Sequence, residues 1–252
     1  MKIHEFWLLY KALYTEIAWK ERMTDNLSRF KSKTTQRSLA YRKNKEKDSE
    51  VTVVFCGGFK SDMKGTKASF LETVCDDMGV NYIRFDYSGH GESEGEFVDG
   101  TIGDWYEDTV SILNEIVDTK KVVLIGSSMG GWVSLLAARE NPALVKSLIL
   151  LAPAPDFTRD VYEAFSDAQK NELLIEDMVK IPNDYSDEPY IFTRRLIDEG
   201  ERNCLLDKEI TAVPQTSRSF LSLFLTSFSQ FTEKTVARGF SDFSALSQRL
   251  SE

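Results

Sequence analysis

Ser128 stands in Gly126-Ser127-Ser128-Met129-Gly130, directly after the apolar run Val122-Val123-Leu124-Ile125. A serine held between glycines at this spacing suits nucleophilic acyl transfer. A buried strand turns sharply into a helix and holds the hydroxyl at the crest. Glycine is wanted on either side because the backbone crowds itself there, and strained dihedrals at the serine are otherwise costly. Gly131 extends that allowance. The helix signal runs from Trp132 to Glu140 and stops at Asn141-Pro142. Its first turn aims free N–H groups and the positive end of its dipole at the serine's surroundings, so the Met129 N–H is a candidate oxyanion donor. A serine nucleophile also needs a histidine to take its proton and a carboxylate to orient that histidine. No histidine follows Ser128; the chain's two are His4 and His90.

The elements that must position this serine are legible from apolar patterning. Val51 to Cys56 reads as an earlier strand, and Gly57-Gly58-Phe59 follows at once. The Phe59 N–H is then the candidate second oxyanion donor. Leu71, Val74, Cys75 and Met78 make one buried stripe of a helix near 66–78. A strand from Val80 to Phe85 leads into Asp86-Tyr87-Ser88-Gly89-His90-Gly91-Glu92-Ser93. His90 lies in this loop, ahead of the serine, and its ordinary reading is a bracing or solvated side chain. Tyr106, Val110, Leu113 and Val117 give a second stripe, on a helix near 103–118. Strands near 121–125 and 146–151 complete a series that alternates with helices. The strands are near-continuous apolar runs, as in a mostly parallel sheet covered by helices on both faces. Ser38 to Tyr41 reads as a weak first strand.

Composition bounds the function. A chain of 252 residues is enough for one large α/β domain. No run of 18 apolar residues is present, so no membrane span is expected. Cys56, Cys75 and Cys204 lie on apolar stretches at no metal-like spacing, which suits buried thiols in a reducing compartment. Net charge is −9, but residues 20–47 carry ten Lys/Arg against three Asp/Glu. An acidic body argues against nucleic acid as a partner. The basic stretch reads by default as a solvated helix, with a membrane-surface patch or a disordered arm as the alternatives.

Taken together, Gly57 to Ala68, Ile83 to Gly91 and Gly126 to Trp132 resemble the α/β-hydrolases. The branch most resembled is that of the mitochondrial acyl-protein thioesterase and acyl-glucuronide esterase, with its bacterial relatives. The resemblance runs over roughly 38 to 214, and Ser61-Asp62-Met63-Lys64-Gly65-Thr66-Lys67-Ala68 is its most specific stretch. It implies an α/β-hydrolase fold, a doubly wound and mostly parallel sheet, with Ser128 as nucleophile and Phe59 and Met129 as oxyanion donors. It implies a serine esterase or thioesterase acting on a small-molecule or protein-linked acyl ester or thioester, with neither metal nor organic cofactor. The family's catalytic Asp and His lie beyond Pro214, where the match ends, and neither is carried over. The alternative is a catalytically dead member of the fold: a pseudoenzyme, a binding module or a frameshifted gene product.

The implied organisation is an N-terminal appendage over 1–36, a core over 37–153, a helical lid-like insertion over 154–210 and an aberrant C-terminal segment over 211–252. Phe157, Tyr162, Phe165, Tyr190 and Phe192 are candidates to line an acyl pocket. Residues 215–252 hold nine Ser and six Phe without helical or strand period, so the fold is expected to be incomplete there and the segment poorly packed. The start of the chain lacks a secretory pattern, which suggests the cytoplasm, or an organelle matrix if it is a transit peptide.

Overall fold

The computed structural model describes residues 27–182, 188–207 and 221–223. Its sheet contains β1 (Leu27–Lys31), β2 (Ser38–Lys43), β3 (Val51–Cys56), β4 (Asn81–Phe85), β5 (Lys121–Ser127), β6 (Val145–Leu151) and, at the far edge, β9 (Leu221–Leu223). Their spatial order is β1-β2-β4-β3-β5-β6-β9. β1 and β2 are antiparallel to their neighbours, and every pair from β4 to β9 is parallel. Between these strands run α1 (Thr66–Asp77), α2 (Ile102–Glu115) and α3 (Met129–Glu140).

The continuous apolar runs have the two-sided burial that a covered parallel sheet demands. Side chains alternate across the pleat. Val53, Phe55, Val123 and Ile125 pack with Ala68, Leu71 and Cys75 of α1. Their neighbours Val54, Cys56, Val122 and Leu124 pack on the other face with Trp105, Ile112, Trp132 and Val133 of α2 and α3. Each such apolar side chain contributes roughly 1.5–3 kcal/mol by leaving water.

After β6 the chain builds α4 (Phe157–Ala164), α5 (Asp167–Glu176), the antiparallel pair β7 (Met178–Ile181) and β8 (Tyr190–Thr193), and α6 (Arg194–Arg202). Buried Asp156 ties the stem of this insertion, accepting the N–H groups of Leu205 (2.9 Å) and Leu206 (2.8 Å).

Three features differ from the sequence reading. The sheet begins inside the stretch read as an appendage. β1 shows only half-buried Leu27 and Phe30 and no apolar period, so it pairs by register and is docked through polar groups. Ser32 Oγ meets Ser111 Oγ at 2.9 Å, and Arg37 Nε donates to Asp108 at 2.8 Å. Second, the buried face of α2 is Ile102, Trp105, Asp108, Thr109, Ser111, Ile112 and Leu113, turned from the predicted stripe, of which only Leu113 is fully buried. Its polar members are satisfied by Arg37, Ser88, the Trp105 carbonyl and Ser32, partners that an apolar pattern does not register. Third, Leu221–Leu223 pairs in parallel with Ile149–Leu151 of β6. The rest of the segment expected to pack poorly lies outside the described residues, as does the whole stretch before Leu27.

Candidate active site

β5 ends at Ser127 and α3 begins at Met129, so Ser128 alone makes the turn. Its backbone is at φ 54°, ψ −122°, a region that costs a non-glycine residue about 1–3 kcal/mol. The turn is held from both ends. Ser128 N–H donates to the Leu151 carbonyl (3.1 Å), and its carbonyl accepts the N–H groups of Gly131 (2.8 Å) and Ala154 (3.1 Å). A Cβ at Gly130 would overlap the carbonyl oxygens of Cys56 and Gly57, and one at Gly126 would overlap the Gly130 carbonyl. The two flanking glycines therefore let α3 start directly against the end of β3. Among the described residues, Ser128 Oγ has no hydrogen-bond partner.

The loop after β3 lies against the serine. An ideal Cβ on Gly58 would stand 3.4 Å from Ser128 Cβ. Ser61 N–H donates to the Gly58 carbonyl at 3.1 Å, which makes Phe59-Lys60 the centre of a tight turn with Lys60 at φ 59°. Met129, the first residue of α3, has an N–H beyond the reach of intrahelical acceptors. The structure thus brings the Gly58-Phe59 loop and the start of α3 to Ser128.

The Phe59 ring sits in an aromatic layer. Its centroid is 4.9 Å from Phe97, 5.4 Å from Phe192, 5.5 Å from Phe157, 6.0 Å from Tyr190 and 6.0 Å from Trp105. Of the pocket candidates, Phe157, Tyr190 and Phe192 touch this layer directly. Phe165 joins through Phe192 (6.3 Å), and Tyr162, half-exposed, touches only Phe165 among these rings (6.1 Å). Lys60 Nζ reaches the insertion as well, donating to Glu188 (3.3 Å) and the Pro189 carbonyl (3.4 Å).

His90 is 4% exposed, with its ring against Tyr87, Phe97 and Trp105. Burial pushes its pKa down to about 4, against a weaker upward pull from the Ser88 carbonyl, which Nδ1 meets at 3.2 Å. The imidazole is therefore neutral at pH 7. Among the described residues Nε2 has no hydrogen-bond partner. His4 lies outside the described residues.

Sequence reasoning left Asp86 and Arg84 without a role. Both are about 1% exposed. Asp86 Oδ1 accepts the Met63 N–H at 2.6 Å, and Oδ2 accepts the Glu92 N–H at 2.8 Å. Arg84 donates to the Met63 carbonyl (2.6 Å), to Ser69 Oγ (2.8 Å) and to Glu72. A Cβ on Gly91, at φ 46°, would fall on the Asp86 carboxylate. Ser93 Oγ donates to the Asp86 carbonyl at 2.6 Å. The pattern Asp86-x-x-Gly89-x-Gly91-x-Ser93 was the signal available, because Gly91 leaves room for the Asp86 carboxylate and Ser93 holds the Asp86 carbonyl.

Among the described residues no group of three or more His, Cys, Asp or Glu is arranged to hold a metal ion, and no helix is long and apolar enough to cross a membrane.

The profile of the serine aminopeptidase S33 family matches residues 47–189. The mitochondrial palmitoyl-protein thioesterase ABHD10 of Bos taurus is 35% identical over 182 residues, 72% of this chain and 58% of that protein. Its Homo sapiens counterpart is 37% identical over 174 residues, 69% of this chain and 56% of that protein. This chain therefore spans less than three fifths of the length of these curated relatives. Among solved structures, alpha/beta hydrolase domain-containing protein 10 from mouse superposes with a TM-score of 0.66 at 34% identity, covering 74% of this chain and 73% of that one. A crystal structure from Agrobacterium vitis S4 gives 0.65 at 38% identity, over 71% of each chain. With more than half of its length under the family profile, and a parallel sheet that delivers Ser128 at a strand-to-helix turn, the chain belongs to the α/β-hydrolase family.

Proposed function

We propose that this chain is a serine hydrolase of carboxylic esters or thioesters with Ser128 as nucleophile. The observation that carries the reading is the strained backbone of Ser128, at the start of α3 and against the Gly58-Phe59 loop, with Oγ lacking a hydrogen-bond partner among the described residues. Strain of this kind persists where the surroundings over-determine it, and such positions cluster at active sites. In the proposed reaction Oγ attacks the acyl carbonyl and gives its proton to a base. The carbonyl oxygen becomes an oxyanion on the Phe59 and Met129 N–H groups. The C–S or C–O bond then breaks, the leaving group takes the proton, and water releases the acyl group from Ser128. The rings around Phe59 receive the acyl chain. The thioesterase names of the relatives favour a thioester on a protein, and their mitochondrial designation favours the organelle matrix over the cytoplasm. No cofactor enters this scheme.

One observation favours a second reading, a catalytically silent member of the fold. The chain has two histidines, and the described one is buried and neutral with Trp105 at 5.1 Å. A serine triad without its histidine loses on the order of a million-fold in turnover.

Fluorophosphonate labelling and turnover of acyl thioesters, on the native chain and on Ser128→Ala, test both readings. Enzyme-like turnover lost in Ser128→Ala supports the first. Labelling and turnover no greater than in Ser128→Ala support the second.

A further inference from the structure

We propose that Asp86 is a positioning residue for the oxyanion loop: through its grip on Met63 it sets the distance between the Phe59 N–H and Ser128. The inference rests on the hydrolase reading of Ser128.

The loop from Gly57 to Gly65 connects β3 to α1. Its near end is fixed by the sheet at Cys56. A glycine pair follows, and glycine gives the backbone the most freedom. What stops the loop from swinging is its far end. Met63 is the one residue there with a buried side chain, and both of its backbone polar groups are taken by charged, buried side chains from the end of β4. Its N–H goes to Asp86 at 2.6 Å and its C=O to Arg84 at 2.6 Å. Hydrogen bonds with an ionised partner are shorter and roughly twice as strong as neutral ones. Between this anchor and Cys56 the Gly58–Ser61 turn spans the remaining residues, so Phe59 has little slack. The second Asp86 oxygen holds Glu92 N–H, which fixes the carboxylate itself, and Arg84 is held in turn by Ser69 and Glu72 on α1. The clamp links three elements: the oxyanion loop, the 86–93 loop and α1.

Oxyanion donors act only if they are aimed where charge develops, and a displacement of about 1 Å can cost a hundredfold in rate. A loosened loop should therefore lower kcat and leave KM almost unmoved, since the Phe97, Phe157, Tyr190 and Phe192 rings that receive the acyl chain lie outside the loop.

The test uses Asp86→Asn, which keeps the shape but presents an NH2 group or a weaker acceptor to Met63 and Glu92. Glu72→Gln loosens the Arg84 arm and serves if Asp86→Asn does not fold. Two measurements are made: steady-state acyl thioester hydrolysis, and amide exchange of residues 58–63. The expected result is a loss of about ten- to a hundredfold in kcat at near-constant KM, with faster exchange at Met63 and no matching change in the β5 amides. Unchanged exchange at residues 58–63 overturns the proposal, and so does a fall in kcat that only tracks the folded fraction. If the native chain shows no Ser128-dependent turnover, the hydrolase reading fails by itself. The exchange arm then decides whether Asp86 holds the loop.

Discussion

The loop layer around residues 84–108 and the insertion over 154–207 hold their shapes in opposite ways. In the loop layer, buried charges are tied to backbone. Asp86 takes two N–H groups, Arg84 takes a carbonyl, and Asp108 takes the Ser88 N–H (2.8 Å), the Ser88 hydroxyl (2.7 Å) and Arg37. In the insertion the charges are mostly on the surface. Arg159 reaches Glu201 and Asp207, Arg194 reaches Asp177 and Asp198, and Arg202 pairs with Glu199. Among the described residues its stem, at Asp156, repeats the buried arrangement. A buried carboxylate that accepts backbone N–H groups is costly to disturb, whereas exposed ion pairs exchange readily with water. The layer that holds the Gly57–Gly65 loop is thus built to stay still. The layer that covers the aromatic cluster can adjust.

The largest effect that could break this comparison is at Asp108. Asp108→Ala leaves Arg37 and both Ser88 groups without their buried partner. The expected loss is about 3–5 kcal/mol in urea unfolding. A loss below about 1 kcal/mol would mean that the loop layer is no firmer than the insertion.

Next in size is a pH effect at His90. Its pKa is near 6.5 in the unfolded chain and about 4 in the fold, so between these values the unfolded chain binds more protons. The contribution of neutral His90 is complete above about pH 6.5 and is lost as the pH falls toward 4, by up to about 3 kcal/mol. Burial raises the pKa values of Asp86 and Asp108, so their stability terms run with the opposite sign. The difference between the native and His90→Asn stability curves, measured from pH 8 to 4, isolates the histidine. Parallel curves would show that its burial is not felt.

The smallest effect is expected at Arg159. Arg159→Ala should barely shift the midpoint of unfolding, yet proteolysis between residues 154 and 207 should accelerate. A midpoint drop as large as that of Asp108→Ala would erase the contrast between the two layers.

Much of the frame was legible because it is written in near neighbours. The runs Val51–Cys56 and Lys121–Ser127 are buried on both faces, and no other local structure satisfies such short continuous apolar stretches so well. Gly126 and Gly130 report a crowding only a few residues wide, and they located the turn at Ser128. The helix starts near 66, 102 and 129 followed from the same local signals. The α2 face was misread because three of its buried residues, Asp108, Thr109 and Ser111, are polar. β1 went unread because its residues have no period, and the short strand at Leu221–Leu223 sits in a segment with none.

The sequence by itself therefore determined the parallel sheet, the crest that holds Ser128 and the shortage of histidine. Tertiary structure alone decided which polar residues are buried and what they hold. Arg37 meets Asp108 across 71 positions and Met63 meets Asp86 across 23. The physical reason is range. Backbone strain and side-chain alternation act over a few bonds and leave a local pattern, whereas the desolvation of a charge depends on every element packed around it, and those elements come from distant parts of the chain.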